Sequence, residues 1–373
     1  MTASTKKIII GSLFILNVLF LVLMLCSNLA LVVNPAGWWI VGVLGLMFPL
    51  LLLVNLSFMI VWLFINRKKA LICFIAILIS YPNISRCFAF HVSDEFSEFK
   101  EDGAIRVITW NVALMNLQAK DTETAAAANA QILNSIDGLN ADVLCLQEFL
   151  TAIVPGNKYN ILDSITRRYN FPYCYFFLNN NFHKDFHPGT VIFSKYKIVD
   201  SSRIIFPAPF FGSVLRAGLL VNKDTIDIIT TRLQSDHLQG EDYEALHNLK
   251  NGAGSNISGT ENILKKLKNG YKKRSEQIDL AINTIHNSSR PIIFTGDMND
   301  VPSSYTYSKI SHGMQDAWLE AGSGIGRTFR FISPTLRIDY IFHNHFFETI
   351  QTRRIITTGS DHYGLVADFR LKK

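Results

Sequence analysis

The residues best able to do chemistry lie at the ends of apolar runs. The richest stretch is Pro291-Ile292-Ile293-Phe294-Thr295-Gly296-Asp297-Met298-Asn299-Asp300. Its β-favouring residues make a short buried strand, Gly296 breaks it, and Asp297, Asn299 and Asp300 follow at once. Side chains two apart on an extended chain project to one side, so Asp297 and Asn299 can together hold a water or a phosphate oxygen. Alone, such a stretch is more often an Asp/Asn/Gly turn. Its companions change that reading. Asn111 closes the run Ile105–Trp110, Glu148 closes Ala141–Gln147, Asp339 sits inside Arg337–Phe342, and Asp361-His362 precede Leu365–Leu371. Carboxylates, amides and one imidazole at strand ends form a hard-oxygen set, suited to Mg²⁺ or Mn²⁺ and not to zinc. No Gly-x-Ser-x-Gly elbow, Walker loop or zinc-type cysteine spacing offers a rival chemistry.

Several elements must position these groups. Strands are predicted over Ile105–Trp110, Ala141–Glu148, Gly189–Ser194, Leu215–Asn222, Thr225–Thr231, Ile292–Thr295, Arg337–Phe342 and Leu365–Leu371. A helix is predicted over Thr122–Leu139, and another from about Glu261 to His286. The second carries Lys265, Lys266, Lys268, Lys272, Lys273 and Arg274 and reads as a solvated basic face. Between Arg232-Leu233-Gln234-Ser235 and that helix, Gly240, Gly252, Gly254 and Gly259 predict a loop. Acidic groups at the carboxyl ends of buried strands predict a site at a sheet rim. The five cysteines show no disulfide or metal spacing, and Cys145 reads as a small core residue.

The amino-terminal third is a different material. Ile8–Val33 and Trp38–Ile65 are uncharged runs of 26 and 28 residues, each long enough to cross a hydrocarbon core of about 30 Å. A shorter apolar run begins at Ala70 and continues towards Arg86, giving two or three spans at about 8–33, 38–65 and 70–90, with three preferred. Residues 1–92 hold Lys6, Lys7, Arg67, Lys68, Lys69 and Arg86 and no acid, so they account for the whole net charge of +6. The remaining 30 basic and 30 acidic residues leave the soluble part formally neutral. Lys6-Lys7 and Arg67-Lys68-Lys69 belong on the cytoplasmic side by the excess of positive charge found there. A third span then delivers the soluble part to the extracytoplasmic side, the periplasm if the cell is bacterial. Residues 93–103 are polar and read as a linker into one domain, 104–373.

Taken in order, Trp110-Asn111, Leu146-Gln147-Glu148, Gly296-Asp297-Met298-Asn299, Ile338-Asp339-Tyr340-Ile341 and Ser360-Asp361-His362 resemble the motifs of the endonuclease/exonuclease/phosphatase superfamily. The resemblance covers about residues 104–371, and some bacterial members are similar in having membrane segments. It implies an α/β (α+β) fold, a four-layer α/β/β/α sandwich of two mixed sheets with the site at their shared rim. It implies Glu148 as principal metal ligand, assisted by Asn111, with Asp297 and Asn299 orienting the attacking water and the scissile phosphate. His362, positioned by Asp339, would bind a phosphate oxygen or move a proton, and Asp361 would support the metal or His362. The chain departs from the pattern at Arg232, where many members carry His. Arginine keeps its proton near neutral pH, so it cannot act as acid or base, but it can grip phosphate.

The resulting expectation is a membrane-anchored phosphoesterase dependent on Mg²⁺ or Mn²⁺, cleaving a phosphodiester or phosphomonoester by in-line water attack. The alternative is a catalytically inactive membrane-bound scaffold or binding module of the same fold. The expected partners are the lipid bilayer, through the amino-terminal helices, and a phosphoester that is either nucleic acid or a phospholipid head group. Nucleic-acid affinity rests mostly on cationic phosphate contacts, and a neutral domain lends a nuclease no support. No obligate protein partner is evident in the sequence.

Overall fold

In the computed structural model the described residues are 2–91, 95–117, 120–152, 160–178, 186–208, 212–238, 240–250, 257–286 and 288–372. Gly252 and Gly254, and Ser93-Asp94 at the start of the linker, lie outside them.

The apolar third folds as helices α1 (Ala3–Ser27), α2 (Ile40–Ile65), α3 (Arg67–Ile79) and α4 (Tyr81–Cys87). Among the described residues two helices, Ser4–Leu31 and Ile40–Ile65, are long and apolar enough to cross a membrane; α3 and α4 make a third candidate only as a pair bent by 62°. The bend falls at Ser80-Tyr81-Pro82, where proline cannot donate a backbone N–H. Buried polar side chains tie the helices together. Trp62 Nε1 donates to Asn17 Oδ1 at 2.9 Å, Asn55 Nδ2 to Phe20 O at 3.1 Å, and Asn28 Nδ2 to Ser80 Oγ at 3.0 Å. Such bonds hold helices where apolar side chains alone give little preference for protein over lipid.

Beyond the short strand β1 (Ala89–Phe90), residues 95–101 run along the domain: Arg106 donates to Ser97 O and Glu98 O, and Lys100 pairs with Asp142 at 2.5 Å. The first half of the domain is then β2 (Ile105–Asn111), α5 (Thr122–Gly138), β3 (Val143–Ala152), α6 (Ile161–Arg168), β4 (Tyr173–Leu178) and β5 (Phe186–Ser194). The second half contains β6 (Lys197–Ile205), β7 (Ser213–Val221), β8 (Asp224–Arg232), α7 (Gly240–Lys250), α8 (Ile257–His286) and β9 (Ile292–Asp297). It continues with α9 (Tyr305–Ser311), β10 (Gln315–Asp316), α10 (Ala317–Ala321), β11 (Ser323–Gly324) and β12 (Asp339–His343); β13 (Phe347–Ile355) and β14 (Gly364–Leu371) return to the first sheet.

Two six-stranded mixed sheets result, ordered β13-β14-β2-β3-β5-β4 and β10-β12-β9-β8-β7-β6. Each has one parallel pair, β2/β3 joined through α5 and β8/β9 joined through α7 and α8. Alternation along the strands sorts the side chains. Val107, Cys145, Ile228 and Ile293 fill the space between the sheets, whereas Ile108, Leu144 and Leu146 pack on Ile132 and Ile136 of α5. Ile229 and Phe294 pack on Ile278 and Ile282 of α8. This is the expected four-layer α/β/β/α sandwich.

Three local expectations are corrected. The strand predicted to stop at Glu148 runs on to Ala152, with its register shifting between Leu146 and Phe149, so Glu148 sits on a bulge and not at a strand end. Helix α7 occupies part of the glycine-bearing segment read as loop; Glu241 and Asp242 in its first turn favour a helix start. The run Arg337–Phe342 is strand only from Asp339, because Arg337 is drawn into bonds with Asp316 and Arg86 O.

Candidate active site

The two parallel pairs end at one rim. In the first sheet Asn111 lies opposite Gln147, and in the second Arg232 lies opposite Asp297. Asp297 also faces Asp339 across the antiparallel β9/β12 pair. Gln147 stitches the sheets together beneath the rim, its Nε2 donating to Thr109 Oγ1 at 3.0 Å and Thr230 Oγ1 at 2.9 Å.

Backbone geometry aims the side chains. Glu148 has φ of 47° on its bulge, which turns its carboxylate from the pleat towards Asn111 and Arg232. Gly296 has φ of 140°, and a Cβ there would meet Thr231 O at 1.9 Å, so only glycine fits before Asp297. Asn299, at φ 50°, folds back: its N–H donates to Asp297 Oδ1 at 2.9 Å and its Nδ2 to Asp297 Oδ2 at 3.0 Å.

The side chains converge across the rim. Asn111 Nδ2 donates to Glu148 Oε1 at 3.1 Å and to Asp297 Oδ2 at 2.9 Å, joining the two sheets through one amide. Arg232 places a guanidinium nitrogen 2.5 Å from Glu148 Oε1 and its Nε 3.7 Å from Asp297 Oδ2. His362 Nδ1 meets Asp339 Oδ2 at 2.8 Å, and Asp297, Asp339 and His362 bring one ligand atom each within 4.8 Å of one another. Two bonds seat the His362 segment: Trp110 Nε1 donates to His362 O at 3.0 Å, and Ser360 Oγ to Asn111 O at 2.8 Å. Asp361 is half-buried beside them and accepts from Ser360 Oγ at 3.3 Å.

The electrostatics follow from these contacts. Burial pushes the Asp297 carboxyl up to about 6, and the neighbouring Asp339 charge adds to the effect. Burial works against the His362 imidazolium, but Asp339 and Asp297 outweigh it and hold the imidazole protonated up to about 10. Burial likewise opposes the Glu148 carboxylate, yet Arg232 and the Asn111 bond bring it below its ordinary value. The buried oxygen Asp339 Oδ1 has no hydrogen-bond partner among the described residues. A buried carboxylate oxygen left unpaired beside Asp297 leaves negative charge at the rim that a divalent cation bound there would balance. The donor set, carboxylates and an amide oxygen, fits Mg²⁺ or Mn²⁺.

Asn111, Glu148, Arg232, Asp297, Asn299, Asp339, Asp361 and His362 thus lie at this rim, whereas Asp300 is buried away from it and accepts from Thr306 Oγ1 at 2.8 Å. Two contributors were not foreseen. In the sequence Gln147 is only a member of a motif, and its bonds to threonines of both sheets depend on a pairing that no local pattern encodes. His237, in the left-handed region at φ 50° five residues after Arg232, meets Gln234 Nε2 at 2.5 Å, and burial and then the Arg232 charge lower its pKa.

Comparison with known proteins gives two family matches. The endonuclease/exonuclease/phosphatase family model matches residues 108–362, and a domain of unknown function (DUF8431) matches residues 6–87. No curated protein sequence matches. Among solved structures, the human Nocturnin catalytic domain is 18% identical, covers 72% of this chain and 94% of its own, and superposes with a TM-score of 0.51. A humanized D. rerio TDP2 is 17% identical over 72% of this chain and 100% of that one, with a TM-score of 0.50. An endonuclease/exonuclease/phosphatase from Bacteroides vulgatus is 18% identical over 72% and 99%, also with a TM-score of 0.50. At these identities the likeness speaks to fold.

Proposed function

The chain belongs to the endonuclease/exonuclease/phosphatase family, and from that premise we propose that it is a membrane-anchored, divalent-metal-dependent phosphoesterase. The observation that carries the reading is the meeting of Glu148, Asn111, Asp297, Asp339 and His362 at one rim, with Asp339 Oδ1 unpaired. Glu148, assisted by Asn111 and Asp361, would hold Mg²⁺ or Mn²⁺, which supplies charge neutralisation for the phosphoryl oxygens. Asp297 and Asn299, already bonded to each other, hold and orient water on the far side of the phosphorus from the leaving group. Asp297, raised to about 6, is poised to take the water proton near neutral pH. His362 is protonated there and bonded to Asp339, so it grips a non-bridging oxygen or gives a proton to the leaving oxygen. Arg232 contributes a fixed positive charge to the phosphate as negative charge builds.

The full chain in detergent should hydrolyse a generic phosphodiester such as bis-p-nitrophenyl phosphate only with divalent metal. Glu148→Ala or His362→Ala should each remove at least 99% of the rate, an estimate of about 10²-fold from typical losses at such groups. Wild-type rates in both variants would refute the assignment.

One observation favours a second reading, an inactive binding module. Arg232 stands 2.5 Å from Glu148, where a metal would compete with it. Calorimetric titration with Mn²⁺ separates the two, since no heat dependent on Glu148 would favour the module.

The same proposal places the catalytic domain on the extracytoplasmic side. Lys69 lies over the rings of Phe14 and Trp62, so the basic clusters gather at one end of the helices. The domain meets the other end: Asn34 Nδ2 donates to Asp279 Oδ2 at 3.3 Å, Lys268 lies over the Trp39 ring, and Arg337 donates to Arg86 O at 2.7 Å. Positive charge inside then puts the domain outside. Alkaline phosphatase fused after residue 100 should be active, whereas a fluorescent cytoplasmic fusion would put the site inside the cell.

A further inference from the structure

The loop of residues 325–336, between β11 and β12, connects the amino-terminal helices to the Asp339–His362 pair. At its base Ile325 and Thr335 line a small apolar space with Val301 and with Leu46 and Pro49 of α2. Leu336 and Ile338 pack with Leu46 and Phe329. Phe329 in turn sets its ring edge-on to His362, centroids 5.1 Å apart, and bridges to that residue's backbone. The Leu336/Ile338 pair and the Phe329 ring therefore lie between α2 and the His362 imidazole. The approach is close: a Cβ on Gly45 would meet Ser303 O at 2.2 Å, four residues after Asn299.

The helix fixes the height of this contact. Twenty residues counted back from Ile65, about 30 Å of helix, end at Leu46. Met47 and Leu50, beside the contact residues Leu46 and Pro49, are exposed apolar side chains of α2. A bilayer around α2 thus has its hydrocarbon boundary where the base of the loop packs.

The loop's tip is dressed for that boundary. Phe331 is 49% exposed and Ile332 44%, the latter at φ 67°, an unfavourable conformation for a β-branched residue. Ile356, 67% exposed, lies on the neighbouring loop, which Arg330 holds by donating to Ser360 O at 2.7 Å and Thr358 O at 3.2 Å. Arg354 donates to Arg327 O at 2.9 Å, and both of those guanidiniums lie near the Tyr363 ring. These bonds go to carbonyls, so the arginine charges stay available to a partner. Exposed apolar side chains among arginines match a head-group layer carrying phosphate, with hydrocarbon just beneath.

We propose that Phe331, Ile332 and Ile356, with Arg327, Arg330 and Arg354, form a lip that rests on the bilayer holding the anchor, and that the substrate is a phosphoester of a lipid in that bilayer. The assignment of substrate rests on the phosphoesterase reading; the contact of the lip with lipid does not. In the reaction a water oxygen bonds to phosphorus, the P–O bond to the alcohol breaks, and the departing alkoxide takes up a proton, so the products are an alcohol and a phosphate with one ester fewer.

The test uses the full chain in nanodiscs of phosphatidylcholine and phosphatidylglycerol. Two rates are followed, of lipid phosphoester hydrolysis and of hydrolysis of soluble bis-p-nitrophenyl phosphate. Phe331→Ser/Ile332→Ser should lower the ratio of lipid to soluble rate at least tenfold, while Val199→Ser, an exposed apolar position on β6, leaves it unchanged. Independently, bimane attached to Phe331→Cys in a Cys174→Ser background should shift to the blue and be quenched by brominated lipid. An unshifted probe overturns the lip. A shifted probe with an unchanged ratio, or with equal falls in both rates, overturns the lipid as substrate. If wild type hydrolyses neither compound, the phosphoesterase reading fails, and the probe still decides the contact.

Discussion

At the residue scale the unusual group is Arg232. A guanidinium 2.5 Å from Glu148 neutralises that carboxylate, so in the proposed reaction it would trade metal affinity for a permanent charge on the phosphate. Removing it should move the two properties in opposite directions. We expect Arg232→Gln to bind Mn²⁺ about tenfold more tightly, roughly 1.4 kcal/mol, well within the Coulomb energy of charges this close. Hydrolysis should fall about 10–100-fold. Mn²⁺ titration followed by electron paramagnetic resonance, beside a rate assay, checks both, and weaker Mn²⁺ binding would contradict this role.

His362 gives the second expectation at this scale. Its folded pKa, about 10, lies above the ordinary imidazole value. A group with a raised folded pKa contributes stability that is complete below its unfolded pKa and is lost as pH rises through the folded one. In metal-free protein that window runs from about 6.5 to about 10. Asp297, raised to about 6, has the same sign at lower pH. Thermal unfolding without metal should therefore show a midpoint that falls as pH rises across the window, and less steeply in His362→Gln. Equal slopes would contradict the pairing with Asp339.

At the element scale, the site is made by where strands stop and where they break. Gly296 lets β9 turn its last residue into the rim against Thr231 of β8. Gly296→Ala should cost about 2–4 kcal/mol, from the strained φ and the collision with backbone. It should lower activity with it, measured by denaturant unfolding and rate; wild-type stability would contradict the geometry. The rim residues were legible in the sequence because buried strands are short apolar runs, and a carboxylate or amide ending one is conspicuous. Glu148 was legible as a rim carboxylate but not as a mid-strand bulge, since hydrophobic pattern does not report register. Edge strands were less visible. Lys197–Ile205 is polar and mostly exposed, and Phe347–Ile355 mixes polar with apolar residues, so neither has the apolar run that marked the central strands. The layered fold was carried by the order of motifs.

At the scale of the whole molecule, the amino-terminal helices pack directly on the domain that carries the site. Gly42 lies against the Tyr271 ring, Gly45 against Ser303, and Cys87 Sγ is 3.0 Å from Ser303 Oγ. Small residues on α2 let the α/β domain approach its backbone, and nothing in a hydropathy profile distinguishes such glycines from others in an apolar run. The central claim also belongs to this scale: two sheets, each with its own parallel pair, build one site between them. The most direct measurement is a double-mutant cycle across the sheets, Glu148→Gln in the first and Asp297→Asn in the second, on metal-dependent hydrolysis. Residues acting as a unit are strongly non-additive. Each single change should cost about 10²–10³-fold, and the double variant should be no slower than the worse single one. Losses that multiply, or a wild-type rate in either single variant, would contradict a site shared between the sheets.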